Sequence, residues 1–156
     1  MSTKIHAAVD ASGLPLAFIL TPGQAADTRY FQPVLDKIRV RKPVGRPVTR
    51  PKAVAADKAY SSKANRTYLR RRQITAVIPD KADQQANRRK KGSKGGRPVT
   101  YDIQRYKQRN VVERCFQRVK TWRGLATRYD KSPESYEAGL HLRGSIMWLK
   151  TLTPTT

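Results

Sequence analysis

Tyr106, Arg109, Glu113 and Lys120 are spaced for chemistry. On a single helix at about 100° per residue they fall within an arc of roughly 60°. One tyrosine, one carboxylate and two cations then share a narrow stripe. Val111, Val112, Cys115, Val119 and Trp122 point mostly the other way, with Phe116 at the border. A helix that packs one face and gathers a carboxylate with flanking cations on the other suits metal-assisted phosphate chemistry. The plain alternative for Glu113 is an i, i+4 pair with Arg109 or Gln117 on a solvated helix.

The 33 Lys and Arg against 11 Asp and Glu leave 156 residues with a net charge of +22. Self-repulsion of that size opposes compaction, so the composition points to a polyanionic partner, with nucleic acid ahead of an anionic membrane surface. No stretch of about 18 apolar residues is present, so no membrane span is expected. The one cysteine, Cys115, excludes an intrachain disulfide and fits a reducing, cytoplasmic setting. It lies on the apolar side of its helix and reads as a structural thiol. His6 and His141 are isolated, and no Cys/His spacing supports a zinc cage. At 38% hydrophobic residues the core is thin but sufficient for one domain.

The elements that must position the stripe read as α/β. Residues 4–10 and 14–20 predict a hairpin around Ala11-Ser12-Gly13. Residues 25–38 have helical spacing, broken or kinked at Pro33. Residues 53–56 predict a short buried strand ending at Asp57, and Ser61 or Ser62 caps a helix to about Arg72. A strand over 74–78 follows, and strand–helix–strand implies parallel pairing. Residues 39–52 and 80–100 read as basic loops, the second carrying Arg88, Arg89, Lys90 and Lys91 for DNA-backbone contact. One helix spans 101–123, Gly124 opens a turn, and a last helix runs over 135–152, interrupted at Gly144. Trp122 and Trp148 read as core.

The pattern Tyr106-x2-Arg109-x3-Glu113-x6-Lys120 is similar to the signature of bacterial insertion-sequence transposases of the DDE class. Asn110-Val-Val-Glu-Arg-Cys-Phe and Lys120-Thr-Trp-Arg-Gly-Leu-Ala-Thr-Arg-Tyr-Asp-Lys resemble the same family. So do Ala56-Asp57-Lys58-Ala59-Tyr60-Ser61-Ser62, Lys4-Ile-His-Ala-Ala-Val-Asp and Thr21-Pro-Gly-Gln-Ala-Ala-Asp-Thr. The resemblance runs from about Lys4 to Leu149.

It implies a ribonuclease-H-like mixed sheet flanked by helices, over residues 1–152 with a 153–156 tail. It implies three carboxylates holding two divalent ions, Mg2+ or Mn2+. Asp57 matches the second acid and Glu113 the third. The first is expected on a strand before Lys4. Asp10 is a poor substitute, since it reads as a turn residue beside Ser12-Gly13. The expectation is therefore a C-terminal catalytic portion lacking its first strand, with little catalysis alone. The implied reaction is phosphodiester hydrolysis at insertion-sequence ends, followed by strand transfer into target DNA. Tyr106, Arg109 and Lys120 would contact this double-stranded DNA. No helix-turn-helix that would read transposon ends is evident. A homo-oligomer or association with an upstream transposase fragment is expected. The competing reading is a non-catalytic DNA-binding remnant. A basic RNA-binding protein would explain the charge but not the stripe.

Overall fold

The computed structural model describes residues 2–152, so the tail expected at 153–156 lies outside the described residues. They form two compact units. The first takes the chain up to Ala26, Pro33–Thr49 and the chain from Asn110 onward. The second takes Asp27–Gln32 and Arg50–Arg109.

In the first unit, β1 (Thr3–Val9) pairs antiparallel with β2 (Pro15–Pro22), Ala7 opposite Phe18. This is the expected hairpin, with ends moved by a residue or two. Its turn is closed by Asp10, whose Oδ1 accepts from the backbone N–H of Ser12 at 2.9 Å and of Leu14 at 2.8 Å. Gly13 follows at φ +80°, a conformation that a Cβ penalises. Asp10 is thus the turn residue that its neighbours predict.

The helices α5 (Val111–Lys120), α6 (Arg123–Thr127) and α7 (Pro133–Leu152) complete this unit. Its core joins Leu14 and Phe18 of the hairpin segment to Cys115, Val119, Leu125, Tyr136, Leu140 and Met147, with Trp122 and Trp148 packed against it. Trp148 Nε1 donates to the Pro15 carbonyl at 2.8 Å and the Tyr136 hydroxyl donates to the Leu125 carbonyl at 2.9 Å, so the polar ends of both rings are satisfied. The expected turn at Gly124 is instead the short α6, whose C-cap Arg128 sits at φ 50°. The expected interruption at Gly144 is also absent, and α7 runs through it. A Cβ there would lie 3.2 Å from Pro15 Cγ and 3.5 Å from Phe18 Cε2. This glycine admits β2 against the helix rather than ending it.

In the second unit, β3 (Ala53–Ala55) pairs parallel with β4 (Thr75–Val77) across α2 (Lys63–Arg71), the crossover the pattern implies. Ser62 caps α2, its Oγ accepting from Asn65 N at 3.2 Å. Leu69 is fully buried, as are Val77 and Ile78 at the end of β4. The segment 27–36 is a 3-10 turn, Asp27–Tyr30, leading into α1 (Phe31–Asp36), which belongs to the first unit from Pro33 on. Pro33 lies in the first turn of α1, where its missing N–H costs nothing.

The loop expected over 80–100 is overturned. It contains α3 (Ala82–Lys90) and a 3-10 turn, Gly92–Gly95. Nothing on α3 is buried, so no apolar periodicity announced it. The single helix expected over 101–123 is overturned too. It is α4 (Ile103–Lys107), a 3-10 turn Gln108–Asn110, then α5. Asp102 caps α4, its Oδ1 accepting from Gln104 N at 2.9 Å and Arg105 N at 3.1 Å. Asn110 followed by Val111-Val112 is poor helix material, and the backbone tightens there. Both an antiparallel and a parallel strand pair exist, each in its own unit, so the chain is mixed α/β.

Gly144→Val is expected to lower stability by about 1–3 kcal/mol through overpacking against Pro15 and Phe18, read as a fall in thermal midpoint, with Ala near neutral. Burial pushes the Cys115 thiol up, Arg118 opposing and Asp10 adding to the shift. The fold therefore favours the neutral thiol, and that contribution is complete below the ordinary thiol range and lost as pH rises through the raised value. Alkylation at pH 8 should be slow in the native chain and fast in denaturant.

Candidate functional site

Asp57 stands just past the carboxyl end of β3. Ala56 N continues the ladder to the Val77 carbonyl at 3.4 Å, and Asp57 then caps the 3-10 turn Lys58–Tyr60. Its Oδ1 accepts from Ala59 N at a long 3.4 Å, and the side chain is exposed. The capping contact is thus weak, and the carboxylate keeps most of its coordinating capacity. Beside it, burial pushes the Tyr60 phenol up, and the carboxylates of Asp27 and Asp57 push the same way. Asp27 therefore shares the neighbourhood of Asp57. Only its place in the Thr21–Thr28 segment hinted at this.

Glu113 is exposed in the first turn of α5, where a negative charge suits the helix dipole. Lys120 closes the same helix, also exposed, while Cys115 and Val119 are buried. Seven residues return to nearly the same azimuth, so Glu113 and Lys120 share the outward face of α5. Tyr106 and Arg109 do not belong to α5. Tyr106 is on α4 and Arg109 in the 3-10 turn, both in the second unit, whereas Glu113 and Lys120 are in the first. Within the second unit the pair does meet: the Arg109 guanidinium lies 5.0 Å from the Tyr106 ring centroid. Tyr101 abuts the same ring edge-on at 5.5 Å. Tyr106 is thus half-buried between a ring and a cation, which leaves less of it for stacking on a base.

The basic segment divides in the same way. Arg88 is turned inward, 2.7 Å from Asp80 Oδ2, and Arg66 reaches Asp80 Oδ1 at 2.7 Å and the Ile78 carbonyl at 2.9 Å. Asp80 Oδ2 has no aligned hydrogen bond, so its link to Arg88 is one of charge. Ser61 Oγ donates to Gln84 Oε1 at 2.9 Å, a second fastening of α3. Arg88 was expected at the DNA backbone but holds α3 to its unit. Arg89, Lys90, Lys91 and Lys94 stay exposed. The signal for this node was Asp80, one of two acids between Pro79 and the basic run, which reads like any loop carboxylate.

Asp57, in the second unit, and Glu113, in the first, are each an exposed carboxylate, the donor type that hard cations take. No group of three His, Cys, Asp or Glu that could hold a metal exists among the described residues.

Residues 1–145 match the model of the transposase DDE domain. The chain belongs to this transposase family. It is 33% identical over 151 residues to a transposase of insertion sequence element IS402 of Burkholderia cepacia, covering 96% of this chain and 64% of that protein. It is 31% identical over 150 residues to the transposase of insertion sequence element IS6501 of Brucella ovis, covering 96% of this chain and all of that one. This family member therefore spans about two thirds of one relative and the whole of another. No solved structure matches it. No helix among its described residues is long and apolar enough to cross a membrane.

Asp80→Asn should destabilise α3 by about 1–3 kcal/mol. That is below the cost of breaking a fully buried pair, because the Arg66 and Arg88 side chains keep 18% and 25% exposure. Amide exchange should quicken in α3 while α7 stays protected.

Proposed function

We propose that this chain carries two of the three acids of a DDE transposase centre, Asp57 and Glu113. The reaction is DNA transposition: hydrolysis of a phosphodiester at an insertion-sequence end, then attack of the freed 3′-hydroxyl on target DNA. Family membership supports transposition in general, and the placement of Asp57 supports the finer reading. An exposed acid just past the carboxyl end of a strand in a parallel pair is where α/β folds keep their functional crevices.

The first acid of the pattern would come from a segment N-terminal to Lys4 or from a separate fragment, completing a ribonuclease-H-like sheet. Bound Mg2+ or Mn2+ supplies charge stabilisation at the reacting phosphate. Asp57 and Glu113 would hold it. Arg109 would grip a phosphate with its fork, set by the Tyr106 ring, and Lys120 would contribute a point charge beside Glu113. Arg89, Lys90 and Lys91 on the exposed end of α3 would run along the duplex backbone. A second copy or an upstream fragment is the expected protein partner, and the working place is the bacterial cytoplasm.

The second reading is a DNA-binding remnant without chemistry. One assay separates the two. The chain is mixed with the upstream segment of a family transposase and DNA bearing insertion-sequence ends, with Mg2+ present. Strand cleavage is expected, falling by about 100-fold or more in Asp57→Asn and in Glu113→Gln, since even outer-shell partners of metal ligands cost 10–100-fold. Retained DNA binding with no cleavage would establish the remnant. Ala at Arg89, Lys90 or Lys91 should each reduce the salt slope of duplex binding by about one, with Arg88→Ala acting instead on α3 stability.

A further inference from the structure

Asp57 sits on a turn that its own contacts hold loosely. Its cap bond is 3.4 Å, and the last ladder bond before it, Ala56 N to the Val77 carbonyl, is also 3.4 Å. The firm bond in the turn is Tyr60 N donating to the Asp57 carbonyl at 2.9 Å, which ties the acid's backbone to Tyr60. What holds Tyr60 is a buried amide. Asn65, on α2, is 2% exposed, and its Nδ2 donates to the Tyr60 carbonyl at 3.2 Å and to Thr28 Oγ1 at 3.2 Å. Its Oδ1 accepts from Gln32 Nε2 at 3.5 Å. Both amide protons are therefore spent, one on the turn that follows Asp57 and one on the segment that carries Asp27. The Phe31 ring packs on Tyr60 at 5.4 Å and closes the same contact.

We propose that Asn65 is a positioning residue for Asp57: its buried amide locks the 3-10 turn that aims this carboxylate, and joins it to the Asp27–Gln32 segment. This rests on the role given to Asp57 above. Asparagine suits the task because one planar group supplies two donors in divergent directions and an acceptor between other segments. Aspartate would turn an oxygen toward the Tyr60 carbonyl and repel it. Alanine would leave that carbonyl without its amide partner in a part-buried place, where an unmet acceptor is costly.

The test has two readouts. In the chain alone, Asn65→Ala and Asn65→Asp are expected to speed amide exchange at Tyr60 and Ser61 by at least about 10-fold, while Arg72 N, bonded to the Tyr68 carbonyl at 3.1 Å on the far end of α2, keeps its protection. With the upstream fragment added, both variants should cut the cleavage rate constant by about 10-fold or more while the DNA concentration for half-saturation stays put, as for outer-shell partners elsewhere. Thr28→Ala removes only one arm and should change the rate by less than about 3-fold. Exchange that quickens evenly through α2 and β4, or an Asn65→Ala rate no lower than that of Thr28→Ala, would overturn the assignment. Should Asn65→Ala fail to fold, Asn65→Ser keeps one donor and should fall between wild type and Asp57→Asn. A serine variant equal to wild type in both readouts is equally fatal. Cleavage indifferent to Asp57→Asn sinks the catalytic reading instead, and exchange at Tyr60 still decides whether Asn65 holds the turn.

Discussion

Three cations stand against every acid in this chain, and the scarcity of carboxylates governs how it is built. Several of the acids are spent on structure. Asp10 closes the hairpin, Asp102 starts α4, and Asp80 holds two guanidiniums at once. Glu137 accepts from Lys37 at 3.1 Å and approaches His141 at 3.7 Å. Asp57 and Glu113 are the two the family pattern selects, and both are exposed.

Much of the scaffold was legible because local chemistry and global need agree there. The hairpin turn, the Ser62 cap and the strand–helix–strand unit each have a residue-level cause and appear where those causes put them. Three features were not legible, for three reasons. α3 carries no apolar stripe, so a reading based on burial saw only a charged loop. The tightening at Gln108–Asn110 follows from a weak helix stretch rather than a breaker, so a uniform 100° wheel carried Tyr106 and Arg109 onto a helix they do not share with Glu113. Gly144 looked like punctuation, but its reason is the approach of Pro15, which no local pattern contains.

For the candidate site, residue types were legible and their settings were not. Asp57 is exposed just past a strand end, as its sequence context suggests, whereas Glu113 is exposed in the first turn of α5 rather than midway along one helix over 101–123. Arg88 and Arg89 are adjacent and identical in type, yet one is tied to Asp80 and the other faces solvent. Only the partner just before α3, Asp80, distinguishes them. Asn65 gave even less signal, since a lone asparagine in the first turn of a helix is ordinary. Its importance comes from three segments meeting over it.

The fastening of α3 has a consequence for how nucleic-acid binding would look in solution. A helix with no buried residue, secured by a few polar bonds and by an ion-pair node whose guanidiniums keep 18% and 25% exposure, is held in part by a force that counterions weaken. Rising ionic strength would thus act twice, shielding the duplex from the cationic end and loosening the arm that presents it. A logarithmic plot of affinity against salt would then bend downward instead of running straight. Its shallow early limb would count phosphates, and the bend would mark where the arm lets go.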